Sequence, residues 1–464
     1  MQVSHSVRAV SASFDDPNLV SAAGLVPVLK LAEKAGLHRL ADQWLSVPTD
    51  KGANAGLKVA SLVGGMVAGA DSIDDMAVLR HGGMRKVFSS CYAPSTLGSF
   101  LREFSFGHVR QLDAVASRFL QGLAIQAPLL VTETAAGYVF LDVDDTIIEV
   151  HGHQKQGSGY GYSGVRGINA FLATVKTDAS APIIVGQRLR RGACGSPRGA
   201  ARMVRDALAT IKRLNGMAST RVLLRTDSAF YGYATMSAAI NAGAAVSVTA
   251  RMDPAVKRAI ATIPDNAWET IEYTDAIYDE ATKTWISTAE VAEIAFTAFT
   301  SRKKSEHIAG RLVVRRIPEL NKKDLEHPTL FDTHRFHAFF TTSDLPTIAA
   351  DKTHRAHAVI ELVNADLKNS ALAHLPSGVF TANAAWLVLA VMAFNLTRAA
   401  ATIAGTGLAK ATTATIRRKL VTVPARIASS ARRIMLHLPE QWPWETAWTA
   451  LFRHSTERPR LAPG

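Results

Sequence analysis

Residues 139 to 148, VFLDVDDTII, constrain this chain more than any other stretch. The run is apolar and β-branched enough for a core strand, yet it carries three carboxylates, Asp142, Asp144 and Asp145. A buried carboxylate is costly unless a partner, a proton or a metal compensates it. Side chains alternate faces along a strand. Asp142 and Asp144 therefore share one face, and Asp145 points to the other.

The surrounding sequence predicts an α/β arrangement. Residues 24 to 128 repeat apolar side chains at helical spacing, as in VPVLKLAEKAGLHRLADQWL. From 138 the pattern turns to strands. YVFLDVDDTIIEV, NAFLATVKTD and APIIVGQRLRRG read as a three-stranded meander, most simply antiparallel. PRGAARMVRDALATIKRLNG is a helix, with Pro197 at a suitable starting position. A buried strand ending at Asp227, a helix and the strand AVSVTAR complete a βββ-α-β-α-β order. Residues 256 to 333 read as a separate β-rich insertion. RFHAFFTTSD is then a strand, and a helix is expected from about 351 to 374. The tail, 377 to 464, reads as helical and basic.

With 464 residues the chain has ample length for a core and several domains. Its formal charge of +13 suits a polyanionic partner, nucleic acid or an anionic membrane surface. Two cysteines, Cys91 and Cys194, exclude a disulfide framework or a Cys-based zinc site and fit a reducing cytosol. The N-terminus lacks the apolar core of a signal peptide. The most apolar run, AAWLVLAVMAF from Ala384 to Phe394, is too short to span a bilayer and reads as a buried helix.

Three separated acids stand out. On the helix DKTHRAHAVIELVNADLKNSALAHL, about 100° per residue places His354, His357, Glu361 and Lys368 within about 60° of one another. One face thus brackets a carboxylate with groups that can be cationic. Asp227 stands where an apolar strand runs out, the edge where open α/β sheets bind ligands. Asp144 looks out from the first strand. Brought together, the three make an oxygen-rich site suited to Mg²⁺ or Mn²⁺. A pair of such ions can stabilise both the attacking and the leaving oxygen of a phosphoryl displacement.

This pattern resembles bacterial insertion-sequence DDE transposases, which have an RNase H-like fold. LDVDDT resembles their first motif, implying Asp144; LLRTDSAFYG the second, implying Asp227; and HRAHAVIELVNADLK the third, implying Glu361. Many relatives carry Tyr-x2-Arg-x3-Glu-x6-Lys on the last helix. Here His354 and His357 occupy the Tyr and Arg positions, Lys368 is in place, and Arg355 stands beside the Arg position. The resemblance implies an RNase H-like mixed sheet with flanking helices, interrupted by the β-rich insertion. It implies cleavage and strand transfer at transposon ends, two Mg²⁺ (or Mn²⁺) ions held by Asp144, Asp227 and Glu361, and Asp142 and Asp145 behind them. It also implies double-stranded DNA partners, both terminal inverted repeats and target. A homodimer or higher assembly on DNA follows from holding two ends, in a cytoplasmic, nucleoid-associated setting without a membrane partner.

The expected organisation has five parts: a helical end-binding and assembly region (1–130), the first part of the core (138–255), the insertion (256–333), the last core strand with the Glu helix (334–376), and a basic helical C-terminal region (377–464). Candidate DNA contacts are His354, Arg355, His357, Lys368, Tyr160, Tyr162, Arg302, Lys303 and Lys304. Trp268 and Trp285 offer stacking surfaces, with core packing the plainer expectation. Gly159, Gly161 and Gly164 satisfy G-x-G-x-x-G, but strand-like sequence follows where a dinucleotide site needs a helix, so a hairpin is expected. Two alternatives stay open. Asp142-x-Asp144-x-Thr146 also resembles the haloacid dehalogenase phosphatase signature, which would make Asp142 a nucleophile. A catalytically inactive DNA-binding relative is the other.

Overall fold

A computed structural model describes the chain except residues 2–3, 7–8, 132–136, 153, 162–163, 215, 280–282, 319–333, 432 and 458–464. In chain order its strands are β1 (Leu19–Val20), β2 (Val139–Glu149), β3 (Gly159–Tyr160), β4 (Arg166–Lys176), β5 (Ile183–Arg190), β6 (Val222–Thr226), β7 (Ala245–Thr249), β8 (Glu269–Asp279), β9 (Thr284–Ala298), β10 (Ile308–Pro318), β11 (His334–Thr341), β12 (Ala425–Ser430) and β13 (Arg433–His437).

The meander forms as expected. β4 pairs antiparallel with β2 on one side and with β5 on the other, and the short β3 continues the β5 edge. β6 then pairs parallel with β2, and β7 parallel with β6. The core order is β5-β4-β2-β6-β7. Parallel strands need crossover helices, here Ala200–Lys212 before β6 and Tyr233–Asn241 before β7. Burial on both faces explains why Val222–Thr226 reads as a nearly unbroken apolar run.

The insertion is not a separate sheet. β11 pairs antiparallel with β7, and β10, β9 and β8 follow outward, so one ten-stranded sheet runs from the core through the insertion. The sequence concealed this because alternation reports strands, not their neighbours. The termini also depart from a purely helical reading. β1 pairs with β12 and β12 with β13, tying the N-terminal segment to the C-terminal one.

Helix Phe380–Ala404 is 25 residues long and apolar enough to cross a membrane by length and composition. Its most apolar window is 89% buried inside the protein. It packs against helices Ala55–Ala68, Phe106–Gln126 and Glu445–Thr456 and against β5. One continuous apolar core therefore reaches from Val20 through the sheet to Leu451. At the β5 edge the Asn395 carboxamide accepts from the Ile184 N–H (2.9 Å) and donates to its carbonyl (2.8 Å), capping the backbone where the β4–β5 register shifts.

Two local starts differ from expectation. Helix Ala200–Lys212 follows Gly199 in the left-handed region (φ 82°), not Pro197. The expected helix from 351 is two helices, Thr347–Arg355 and Val359–Lys368, joined by a 3₁₀ turn at Ala356–Ala358.

Candidate active site

The three aspartates of β2 have three different environments. Asp142 is fully buried and lies in register with Arg225 on β6. Arg225 grips it through two parallel bonds, Nε to Oδ1 and Nη2 to Oδ2, both 2.7 Å. Burial pushes the Asp142 carboxyl upward and the guanidinium pulls it back; the bidentate geometry is that of a carboxylate. On the opposite face Asp145 is also buried, paired with Arg190 Nη2 at 2.7 Å and bonded by Asn169. Only Asp144 lacks an ion-pair partner among the described residues. Asn364 Nδ2 donates to its Oδ2 at 3.2 Å. Burial pushes the Asp144 carboxyl up to about 7, aided by the charges of Asp145, Asp227 and Glu361 and opposed by the Asp145 N–H.

Asp227 follows β6 directly and caps the 3₁₀ turn Ser228–Phe230, accepting from the Ala229 N–H at 3.0 Å. It is thus both a turn acid and a site acid. Burial raises its carboxyl, while the Ala229 N–H and the nearby His357 charge hold it back. Parallel registers set Asp142 beside Arg225, so Asp144 and Asp227 emerge together where β2 and β6 carry their carboxyl ends. Glu361 is exposed in the first turn of Val359–Lys368 and bears electrostatically on Asp144. Lys368, half-buried on the same helix, also feels Asp144; burial lowers its ammonium and the carboxylate raises it.

A polar row beneath these groups positions the helices. Thr174, Asp142, Arg225, Ser247 and Thr341 stand side by side across β4, β2, β6, β7 and β11, all buried. Arg225 Nη1 donates to the Thr353 carbonyl at 2.7 Å. His354 engages Ser247 through Nδ1 (2.8 Å) and Thr249 through Nε2 (3.0 Å), and stacks on Phe339 at 4.1 Å. Burial, with His357, Arg225 and Arg315 nearby, holds its imidazole well below the usual histidine range, so it is neutral. His354 is therefore a latch between helix and sheet. The expected phosphate contact is corrected, because His354 is buried and both ring nitrogens are taken by Ser247 and Thr249.

The other expected DNA contacts divide. His357 sits at the site, its Nδ1 3.0 Å from the His354 carbonyl oxygen and its charge felt by Asp227. Arg355 is held by Asp351 at 2.9 Å. Tyr160 is 69% exposed on the β3–β4 hairpin, which replaces any dinucleotide loop, since strand β4 follows; Tyr162 lies outside the described residues. Arg302, Lys303 and Lys304 are exposed in the β9–β10 turn. That turn packs on the segment that follows Asp227, with Phe299 against Tyr231 (5.4 Å) and Arg302 over the Tyr233 ring (5.5 Å). Trp268 packs against Arg316 and Phe336, as the packing expectation had it; the Trp285 side chain lies outside the described residues.

Among the described residues no three His, Cys, Asp or Glu side chains are gathered into a ready-made metal cage. The donor chemistry nevertheless fits a divalent cation. Asp144, Asp227 and Glu361 supply hard oxygens, burial and then the neighbouring acids raise Asp144, and among the described residues no basic side chain forms an ion pair with it. Asn364 was missed by sequence reasoning, although it lies one turn after Glu361 on the same helix. Its Oδ1 is buried without a partner.

An RNase H-like sheet with one carboxylate on a strand just past its parallel pairing, a second directly after the neighbouring strand and a third on a late helix defines a metal-dependent phosphoryl-transfer enzyme acting on nucleic acid. The family Transposase DDE domain group 1 matches residues 3–458, nearly the whole chain, and the protein belongs to that family. It is a DNA transposase, an enzyme of DNA cleavage and strand transfer that binds DNA and uses a divalent metal. No curated protein matches the chain. The hydrolase alternative falls, because its nucleophile Asp142 is sealed in a bidentate pair with no exposed surface.

Proposed function

We propose that Asp144, Asp227 and Glu361 are the catalytic triad and hold two Mg²⁺ ions, with Mn²⁺ able to substitute. The single observation that carries this reading is the contrast within β2: both neighbours of Asp144 on the chain's acidic stretch are neutralised by arginine, and Asp144 is not. When bound, the metal supplies charge neutralisation at the reacting phosphate and favours an ionised nucleophile. The chain's own residues do the rest. Arg225 and His354 fix the preceding helix, Thr347–Arg355, to the sheet, and Asn364 ties the Glu361 helix itself to Asp144. Lys368 and His357 flank the carboxylates with groups that can contact phosphate oxygens. Water attacks the phosphorus at the transposon end and releases a 3′-hydroxyl. That hydroxyl then attacks a phosphorus in target DNA, forming one phosphodiester as another breaks.

The same reading assigns DNA-end recognition and assembly to residues 1–130, further DNA contacts to the basic C-terminal region, and a dimer or higher assembly on paired ends, in the cytoplasm at the nucleoid. The test incubates the protein with its flanking DNA ends and Mg²⁺. Wild type cuts. Glu361→Gln binds the ends and loses at least ~10³-fold in cleavage rate, the scale of losing an essential charge-stabilising group. Cleavage that survives Glu361→Gln sinks the triad. Binding without cleavage by wild type would identify the non-catalytic relative instead.

A further inference from the structure

A basic cleft opens at the same end of the sheet as the carboxylates, on the face that carries Asp145 rather than Asp144. β5 runs in the same direction as β2, and Asn169 of β4 pairs with Ile147 on one side and Arg190 on the other. Arg190 is thus three residues beyond Asp144 along the strands and two strands across, with its side chain on the opposite face of the sheet, beside Asp145. The chain then enters the loop 191–199. Buried Arg190 pins that loop, donating through Nη1 to the carbonyls of Ser196 (2.9 Å) and Arg198 (2.7 Å) while Nη2 pairs with Asp145. Gly192 locks it from the other side. Its N–H donates to the Gly157 carbonyl at 2.9 Å, and a Cβ there would lie 2.1 Å from the Gly167 carbonyl oxygen. The loop is thereby fixed against the hairpin that presents Tyr160.

Arg191 and Arg198 stand exposed on this fixed loop with no acidic partner among the described residues. Arg202 follows on the next helix, sharing Asp206 at 3.6 Å. They border a cleft of about 730 Å³ that also includes Arg188, Cys194 and Phe106, the last 66% exposed. No carboxylate lines it among the described residues.

The geometry points to this cleft as a seat for the sugar–phosphate backbone of flanking duplex DNA, where it passes round the end of the sheet from the scissile bond at Asp144. Guanidinium forks match phosphate oxygens, and backbone contacts fix register without reading sequence. Asp145 then acts on DNA at one remove, as a positioning residue that holds Arg190 and through it the loop. The inference rests on the proposed site at Asp144.

The experiment has two arms. In EDTA, where no cleavage occurs, Arg191→Ala/Arg198→Ala/Arg202→Ala is expected to bind an end duplex at least ~10-fold more weakly. Its salt dependence should be shallower by about 2–3 in slope, one per lost phosphate contact, with the melting temperature retained. In the second arm, Cys91→Ser leaves Cys194 as the one cysteine, and a photoactivated aryl azide on it is expected to cross-link to the flanking DNA of the bound end duplex. Wild-type affinity and slope in the triple variant, or no cross-link while the DNA is still bound and cut, overturns the cleft and leaves the transposase reading standing. A wild-type protein that neither binds nor cuts its ends overturns the reading beneath it.

Discussion

Asp144 and Asp142 differ by two residues on one strand face, yet their substitutions act in opposite directions. Asp144 has a folded value of about 7 against an unfolded value of about 3.9. Between those values the folded chain keeps a proton that the unfolded chain releases, so stability falls as pH rises from about 4 to 7 and stays low above. Asp144→Asn is therefore expected to stabilise the metal-free protein by about 2–4 kcal/mol at pH 8, with the gain shrinking towards pH 4. Thermal melts in EDTA at the two pH values check this; a variant less stable than wild type at pH 8 refutes it. Asp142→Ala strands the buried Arg225 charge and should cost about 3–5 kcal/mol in urea denaturation. A near-neutral result there would remove the buried pair from the account.

At the scale of the element, the helix pair 347–368 depends on one neutral histidine. His354 is held below the ordinary range, so below about pH 6.5 the unfolded chain takes up a proton that the folded chain refuses. The stability it contributes is present above that value and lost as pH falls. Amide exchange across 347–368, corrected for intrinsic rates, should quicken at pH 5 relative to pH 7.5. His354→Phe keeps a ring on Phe339 and removes the titration, so its exchange should lose that pH dependence. An unchanged wild-type profile would show that the latch is not His354. Sequence reasoning misplaced this residue for a definite reason. Helical periodicity shows which residues share a face but not what that face meets, and here Ser247, Thr249 and Phe339 on distant strands take the ring.

Across the whole molecule, the terminal helices and the sheet share one core, which sets how the chain unfolds. Asn395 is the polar joint, satisfying both backbone groups of Ile184 from the long apolar helix. Asn395→Ala leaves a buried donor and acceptor unpaired and should cost about 2–3 kcal/mol. A shared core also predicts a single denaturation transition for the full chain. Two separated transitions, with the Asn395 effect confined to one, would show that the helical regions fold apart from the sheet.

The sequence by itself determined the βββ-α-β-α-β order of the core, the change from helical to strand regime before it, and three separated acids on or beside a strand and on a polar helix face. Those signals are local: periodicity, β-branching and turn residues act within a few positions. It also supplied the family's motifs. Which acid of Asp142, Asp144 and Asp145 stays unneutralised was settled only by tertiary structure, because the deciding partners, Arg225 and Arg190, lie 83 and 45 residues away on neighbouring strands. The same holds for the insertion joining the core sheet through β11, and for Asn364 reaching Asp144 across 220 residues. Pairing and charge neutralisation depend on what stands beside a residue in space, and no local pattern in the chain encodes that.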